Sequence, residues 1–365
     1  MKHIVMIGPS PTSRGGIASV IGILLEHGYL DDPRCRFLPT HVDGSRLRKA
    51  GCAASALTRF GCLLLRGRVA LLHVHVASGA SFWRKAVFIG TARLFGTPVL
   101  FHMHGGHFRN YLDNTLHGWR QRLARRVVAS ATAGFALTAA SVDWLREDCR
   151  LQPVELFPNP VPPAVRPANA VARQRDLLFL GRLETLKGVY DLVEAFVPVH
   201  AQFPDARLIL AGEGDQPGVL ALARRLGVAD RVVLPGWVGP DRRAELLAQA
   251  AMFVLPSHVE QMPMSILEAM AAGTPVVACA VGAVPEMLAH GKSGSIVPIG
   301  NVVALSTEMI RILRDNSFSN TLAMHGLERV QAEYMVDTVI HRLRRRYEEL
   351  INVKSSVRRG DGAYR

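Results

Sequence analysis

None of the five cysteines (Cys35, Cys52, Cys62, Cys149 and Cys279) stands at the short spacing of a zinc or redox pair. Their odd number and scatter exclude a disulfide framework and suit free thiols in a reducing compartment. Long apolar runs are also missing. The stretch Ile4–Ile7 stops at Gly8-Pro9, too short for the apolar core of a signal peptide, and reads as a first buried strand. The most apolar region, 50–72, is broken by Arg59, Arg66 and Arg68, so it falls short of the roughly 20 apolar residues a spanning helix needs. Acid is the third scarcity: 30 Asp and Glu stand against 43 Lys and Arg, a formal net charge of +13.

Such a balance suits a polyanion: nucleic acid, anionic lipid or a phosphorylated substrate. Basic residues crowd the first third, Arg46, Arg48, Lys49, Arg84, Lys85, Arg120 and Arg122 among them. Several interleave with apolar side chains, as in Phe82-Trp83-Arg84-Lys85-Ala86-Val87-Phe88. That mixture fits a surface resting on anionic lipid better than a nucleic-acid groove, and no nucleic-acid partner is expected.

Short apolar runs alternate with longer helical patterns. They are Ile4–Ile7, Leu71–Val76, Val99–His102 and Gly134–Thr138, then Leu177–Leu180, Leu208–Ala211, Val232–Leu234, Met252–Leu255 and Val276–Ala278. This alternation predicts α/β architecture: two Rossmann-like lobes built on parallel sheets. The proline-dense stretch 158–167 marks the boundary, giving lobes over 1–165 and 166–350. A last helix, rich in Arg and Glu, is expected near 336–351 and to pack back across the boundary, with 351–365 as a disordered tail. Ligands are expected at the carboxyl ends of the strands.

The most informative segment runs from Leu255 to Pro275. A strand end is followed by a loop with Glu260, then a helix from about Pro263 to Gly273 that carries Glu268. The N–H groups of Met264, Ser265 and Ile266 then face an anion at the helix start, with a carboxylate on either side. Carboxylates accept from hydroxyls, so a sugar and a ribose suit the pair. Phe179-Leu180-Gly181-Arg182-Leu183-Glu184-Thr185-Leu186-Lys187-Gly188 offers two cations at another strand end. Near the N-terminus, Gly15 and Gly16 permit a tight, N–H-rich turn after the first strand.

Together these elements resemble glycosyltransferase family four, the group 1 type glycosyltransferases, which are retaining enzymes of the GT-B fold with a cleft between two lobes. Glu260 and Glu268 are similar to its E-x7-E signature, with Gln261 where a glycine is usual. The resemblance implies that Glu260 contacts sugar hydroxyls, Glu268 the ribose, and Arg182 and Lys187 the diphosphate. It implies a backbone approach at Gly212, a base-contacting loop at Val238, a sugar-side turn at Gly282–Glu286, and a structural role for Asn159. Gly15 and Gly16 would face the donor phosphate or the acceptor. His104 would stand beside the anomeric carbon, whereas His73 and His75 are structural. His102, His104 and His107 lack an acidic neighbour, and no metal is expected.

The expected activity is therefore retaining, metal-independent hexosyl transfer in cell-envelope or exopolysaccharide synthesis. A UDP-sugar or GDP-sugar would be the donor, with no cofactor. The expected acceptor is a glycolipid or saccharide, and the expected place is cytoplasmic, peripheral on the inner face of the membrane. A nucleotide-sugar epimerase of the same fold and a non-enzymatic polyanion-binding protein are the alternatives.

Overall fold

A computed structural model describes residues 1–164 and 174–359, with side chains to residue 352. The chain divides into two units. The first comprises Met1–Pro160 and Val336–Arg365; the second is Val161–Met335.

Unit 1 holds β1 (His3–Pro9), β2 (Cys35–His41), β3 (Val69–Val76), β4 (Val99–Met103), β5 (Ala133–Ala136) and β6 (Val154–Leu156). All pair in parallel, in the order β2-β1-β3-β4-β5-β6. Parallel strands need crossover connections, and these are helices such as Arg46–Leu65 and Ala80–Leu94. Because helices cover both faces, the central strands are buried throughout: Val5, Leu72, Val74 and Phe101 are all wholly inaccessible.

Unit 2 holds β7 (Gln174–Leu180), β8 (Arg207–Ala211), β9 (Val232–Gly236), β10 (Ala250–Leu255), β11 (Val276–Cys279) and β12 (Ser295–Val297). Its order is β12-β11-β10-β7-β8-β9, again all parallel. The order reverses between β7 and β10. Such a switch point is where an open α/β sheet leaves room for a ligand at its carboxyl edge.

Three expectations are corrected. The units meet at Pro160/Val161, not at 165/166; of the proline stretch, 165–173 lies outside the described residues. Residues 336–350, counted within the bounds of the second lobe, pack back across the boundary as expected and belong to unit 1. The supposed tail continues that helix, Val336–Arg359, while 360–365 lies outside the described residues. The helix returns because its apolar face is wanted there. Tyr347 is fully buried against β3, and its hydroxyl lies 2.6 Å from His73 Nδ1. The Arg344 guanidinium donates to the Gly28 carbonyl at 2.6 Å, and Arg34 pairs with Glu348 at 2.6 Å.

A fourth correction concerns Phe82 to Phe88. Phe82, Lys85 and Phe88 face the core and are at most 1% exposed, so these three belong to no lipid-facing surface, while Val87 of the same helix is 51% exposed. At i, i+3, i+6 the three form the inner stripe of one helix. Among the described residues, no helix is long and apolar enough to cross a membrane.

Candidate functional site

Around the switch point of unit 2, the loops after β7, β8, β10 and β11 are stitched together by backbone hydrogen bonds. Gly181 N–H donates to Ala211 O, Leu183 N–H to Glu213 O, His258 N–H to Leu186 O, and Ala283 N–H to Gln261 O, all within 3.1 Å. Gly212 allows the closest approach, since a Cβ there would collide with the Gly181 carbonyl. Gly282 adopts φ +56°, and a Cβ would lie 2.5 Å from the Glu260 carbonyl oxygen. These glycines hold the edge of the sheet tight enough for side chains from separate loops to meet.

They do meet. Lys187, from the loop after β7, donates its ammonium to Glu260 Oε1 at 2.6 Å. Ser257 donates its hydroxyl to the same oxygen at 3.0 Å. Arg182 lies on the same loop as Lys187 but is exposed and pairs with Glu184 at 3.3 Å. The loop of Glu260 is steadied by its neighbour, as His258 Nε2 lies 2.7 Å from Asp191 Oδ2.

The helix after this loop is Met264–Ala271, with Pro263 at its N-cap rather than inside it. No side chain caps the start. The expected row of three open N–H groups is shortened, because Ile266 N–H turns back to the Pro263 carbonyl at 3.2 Å. Met264 and Ser265 head the helix. Glu268, a turn further on, has its Oε1 3.3 Å from Arg243 of helix Pro240–Gln249. Burial pushes the Glu268 carboxyl above its ordinary range, and Arg243 offsets this only in part. A buried carboxylate with one partly exposed cation for company gains from added hydroxyl donors. Val238 lies just past β9, beside the exposed Trp237.

The sequence pattern did not single out Ser257 or Arg243. Ser257 sits three residues before Glu260, so a closer look at that loop could have found it. Arg243 comes from another helix and leaves no local signal.

In unit 1 the corresponding edge holds Gly15, Gly16 and His104. Gly15 takes φ +128° as N-cap of helix Gly16–Glu26. His104 follows β4 and is one of four buried imidazoles that line up across two strands. His73 and His75 project from one face of β3, His102 and His104 from the same face along β4. His75 Nδ1 lies 2.8 Å from His104 Nε2, and His73 Nε2 lies 3.2 Å from His102 Nδ1. Burial holds all four below the ordinary histidine range, His73 and His104 at about 3, so the layer is neutral. His107 lies outside this layer, on the exposed helix His107–Asn110.

Nitrogens of His73, His75 and His102 fall within 4.8 Å of one another. Zn–N bonds of about 2.0 Å would draw such atoms to roughly 3.3 Å apart, so the trio offers metal donors but would have to close around an ion. Asn159 is buried at the end of the first stretch of unit 1.

Residues 174–315 match the family model described as glycosyl transferases group 1. The chain is 28% identical over 179 residues to N-acetyl-alpha-D-glucosaminyl L-malate synthase of Bacillus anthracis. That alignment covers 49% of this chain and 46% of the relative, so the chain spans about half that relative's length. It is 27% identical over 337 residues to phosphatidyl-myo-inositol mannosyltransferase of Mycobacterium leprae, covering 88% of this chain and 84% of the relative. Among solved structures it is similar to sucrose-phosphate synthase from Thermosynechococcus elongatus, with a TM-score of 0.80 at 20% identity, covering 97% of this chain and 100% of that one. The two six-stranded parallel sheets are those of the GT-B fold. The group 1 glycosyl transferase match thus falls within unit 2, over the loops that carry Lys187, Glu260 and Glu268.

Proposed function

We propose that the protein transfers a sugar from a nucleoside diphosphate sugar bound at the carboxyl edge of unit 2. One observation carries this reading: Lys187, Ser257, Glu260 and the start of helix Met264–Ala271 converge at the β7/β10 switch point, with Glu268 one turn along. Lys187 and the exposed Arg182 serve the diphosphate, whose charge grows as the sugar–phosphate bond breaks. Glu260 accepts from sugar hydroxyls and Glu268 from the ribose. Gly212 and Val238 line the nucleotide, and Met264 and Ser265 present N–H groups to it.

Unit 1 receives the acceptor, with His104 at its edge. As a neutral imidazole hydrogen-bonded to His75, His104 is suited to orient a hydroxyl rather than to carry charge. Transfer proceeds with retention and without a catalytic metal, the departing phosphate taking the acceptor's proton on the same face. UDP- and GDP-hexoses are the donor candidates. The acceptor is a glycolipid or a saccharide of envelope or exopolysaccharide synthesis. A peripheral seat on anionic membrane is supported by helices Arg46–Leu65 and Gly118–Ala129, where Leu47 (86% exposed) and Trp119 (68%) stand among exposed arginines. Nothing in the site favours epimerase chemistry or plain polyanion binding.

Screening UDP- and GDP-sugars for slow hydrolysis by the purified protein tests the reading. Release of one sugar, abolished in Glu260→Gln, is expected. A protein that binds neither UDP nor GDP would overturn it.

A further inference from the structure

The carboxyl ends of β1, β2 and β3 carry donors that the fold does not satisfy. Lys85 lies in the second turn of helix Ala80–Leu94 and is 1% exposed. One of its three ammonium protons goes to Ser81 Oγ at 2.6 Å, and among the described residues no carboxylate pairs with it. A buried ammonium is costly unless its protons find acceptors.

Its surroundings are just as short of acceptors. The Arg84 Nε, His41 Nδ1 and Ser13 Oγ are buried without hydrogen-bond partners, and Ser13 is only 8% exposed. These groups share one neighbourhood. Ser10 N–H donates to the His41 carbonyl at 2.7 Å, tying the loop of Ser13 to the end of β2. Burial, and then the charges of Arg84, Lys49 and Lys85, hold His41 below its ordinary range. Lys85 likewise acts on His75 and His104. The acid here is Asp43, which lies 3.8 Å from His41 Nε2 and accepts Arg14 N–H at 3.0 Å. Among the described residues, neither Lys85 nor Arg84 forms an ion pair with this carboxylate, which is engaged by His41 and the Arg14 N–H.

We propose that Lys85, Arg84, His41 and Ser13 form a phosphoryl-binding site in unit 1, and that the phosphate or diphosphate it takes belongs to the acceptor. A point-charge ammonium, a guanidinium fork and a hydroxyl are the donors such a group needs. The assignment to the acceptor rests on the sugar-transfer reading; the anion site does not. It narrows the acceptor class to molecules with a phosphoryl group close to the hydroxyl that is glycosylated, since Lys85 and His104 lie within each other's electrostatic reach.

The test is equilibrium dialysis of the full chain with labelled inorganic pyrophosphate at saturating UDP. Wild type should bind, and Lys85→Gln and Arg84→Gln should each weaken binding by about tenfold or more. Arg84 is half-buried, so its variant carries the test should Lys85→Gln fail to fold. Full affinity in both variants, or no binding by wild type, would overturn the site. Pyrophosphate should also compete with the acceptor; competition with the donor alone would overturn the acceptor assignment. Separate titrations with UDP and with GDP tell the two readings apart: binding of neither by wild type defeats sugar transfer, while a Lys85-dependent pyrophosphate site would stand.

Discussion

Lys187 and Glu260 lie 73 positions apart in sequence, yet their charged groups meet at 2.6 Å across the two strands where the sheet of unit 2 reverses direction. Each fixes the other. Lys187 holds the Glu260 carboxylate over the sheet edge, and Glu260 keeps the ammonium from folding out into solvent.

The two should therefore act as a unit. Lys187→Ala and Glu260→Gln are each expected to slow transfer by about 10²- to 10³-fold. The double variant should lose far less than the product of the two effects. Steady-state kinetics of all four proteins decides this, and full additivity would refute the coupling.

Glu268 answers a different question. Glu268→Ala should weaken nucleoside diphosphate binding by roughly 10- to 100-fold, as loss of hydrogen bonds to a charged group would. Thermal stability should not fall, because burial already disfavours the ionised carboxyl. Calorimetric titration with UDP and with GDP is the check. Unchanged affinity for both would remove Glu268 from the site.

Lys85 should show itself in stability as a function of pH. Burial, and then the neighbouring Arg84, lower its pKa from 10.5 to about 7. Between those values the unfolded chain holds a proton that the folded chain does not, so stability rises with pH. Measured against Lys85→Gln, wild type should gain through the window from about pH 7 to 10.5, by at most roughly 5 kcal/mol. Pyrophosphate should move the start of the rise upward. A difference that is flat with pH would mean that Lys85 is solvated.

The histidine layer works at the acid end. His73 and His104 titrate at about 3, and His75 and His102 also lie well below 6.5. From pH 6.5 downward the unfolded chain takes up protons that the folded layer refuses, so unit 1 should lose stability steadily toward pH 3. Urea unfolding at stepped pH should show an uptake approaching four protons, reduced by about one in His102→Gln. A pH-independent midpoint between pH 6.5 and 4 would contradict the burial.

Gly282→Ala should cost about 1–3 kcal/mol for its left-handed backbone and push the Glu260 loop out of place. Gly300→Ala makes the control. Its φ is +70°, but a Cβ there meets nothing within 4 Å. Both should melt earlier, and only Gly282→Ala should lose transfer activity.

Much of this was legible beforehand. Nine apolar runs became strands, eight of them because central parallel strands are buried on both faces and so cannot alternate; the ninth, β9, is an edge strand that kept its Val232–Leu234 run. β2, β6 and β12 escaped notice as edge strands: β2 carries Arg36 and Pro39, and the other two are three residues long. Glu260, Glu268 and Lys187 were readable from motif spacing. Their partners Ser257 and Arg243 were not, since contacts across loops leave no periodic trace. The stretch Phe82 to Phe88 misled because arginine and lysine among aromatics look the same in sequence whether they face lipid or a core. The tail misled for a related reason, since composition near 354–360 suggested disorder while helix 336–359 is anchored through Tyr347 in the core of unit 1.

That returning helix sets an order of events during synthesis. A ribosome delivers β1 to β6 first, then the whole of unit 2, and only afterwards the segment bearing Tyr347. Until then His73 lacks the hydroxyl that it meets in the finished core, and Gly28 lacks the guanidinium of Arg344. Unit 2, continuous in sequence and with Val161 N–H bonded to the Tyr334 carbonyl at 2.9 Å, can close upon itself before the chain is finished. The unit begun first is thus completed last, and the nascent protein passes through a stage in which unit 2 is whole while unit 1 still waits for its final helix.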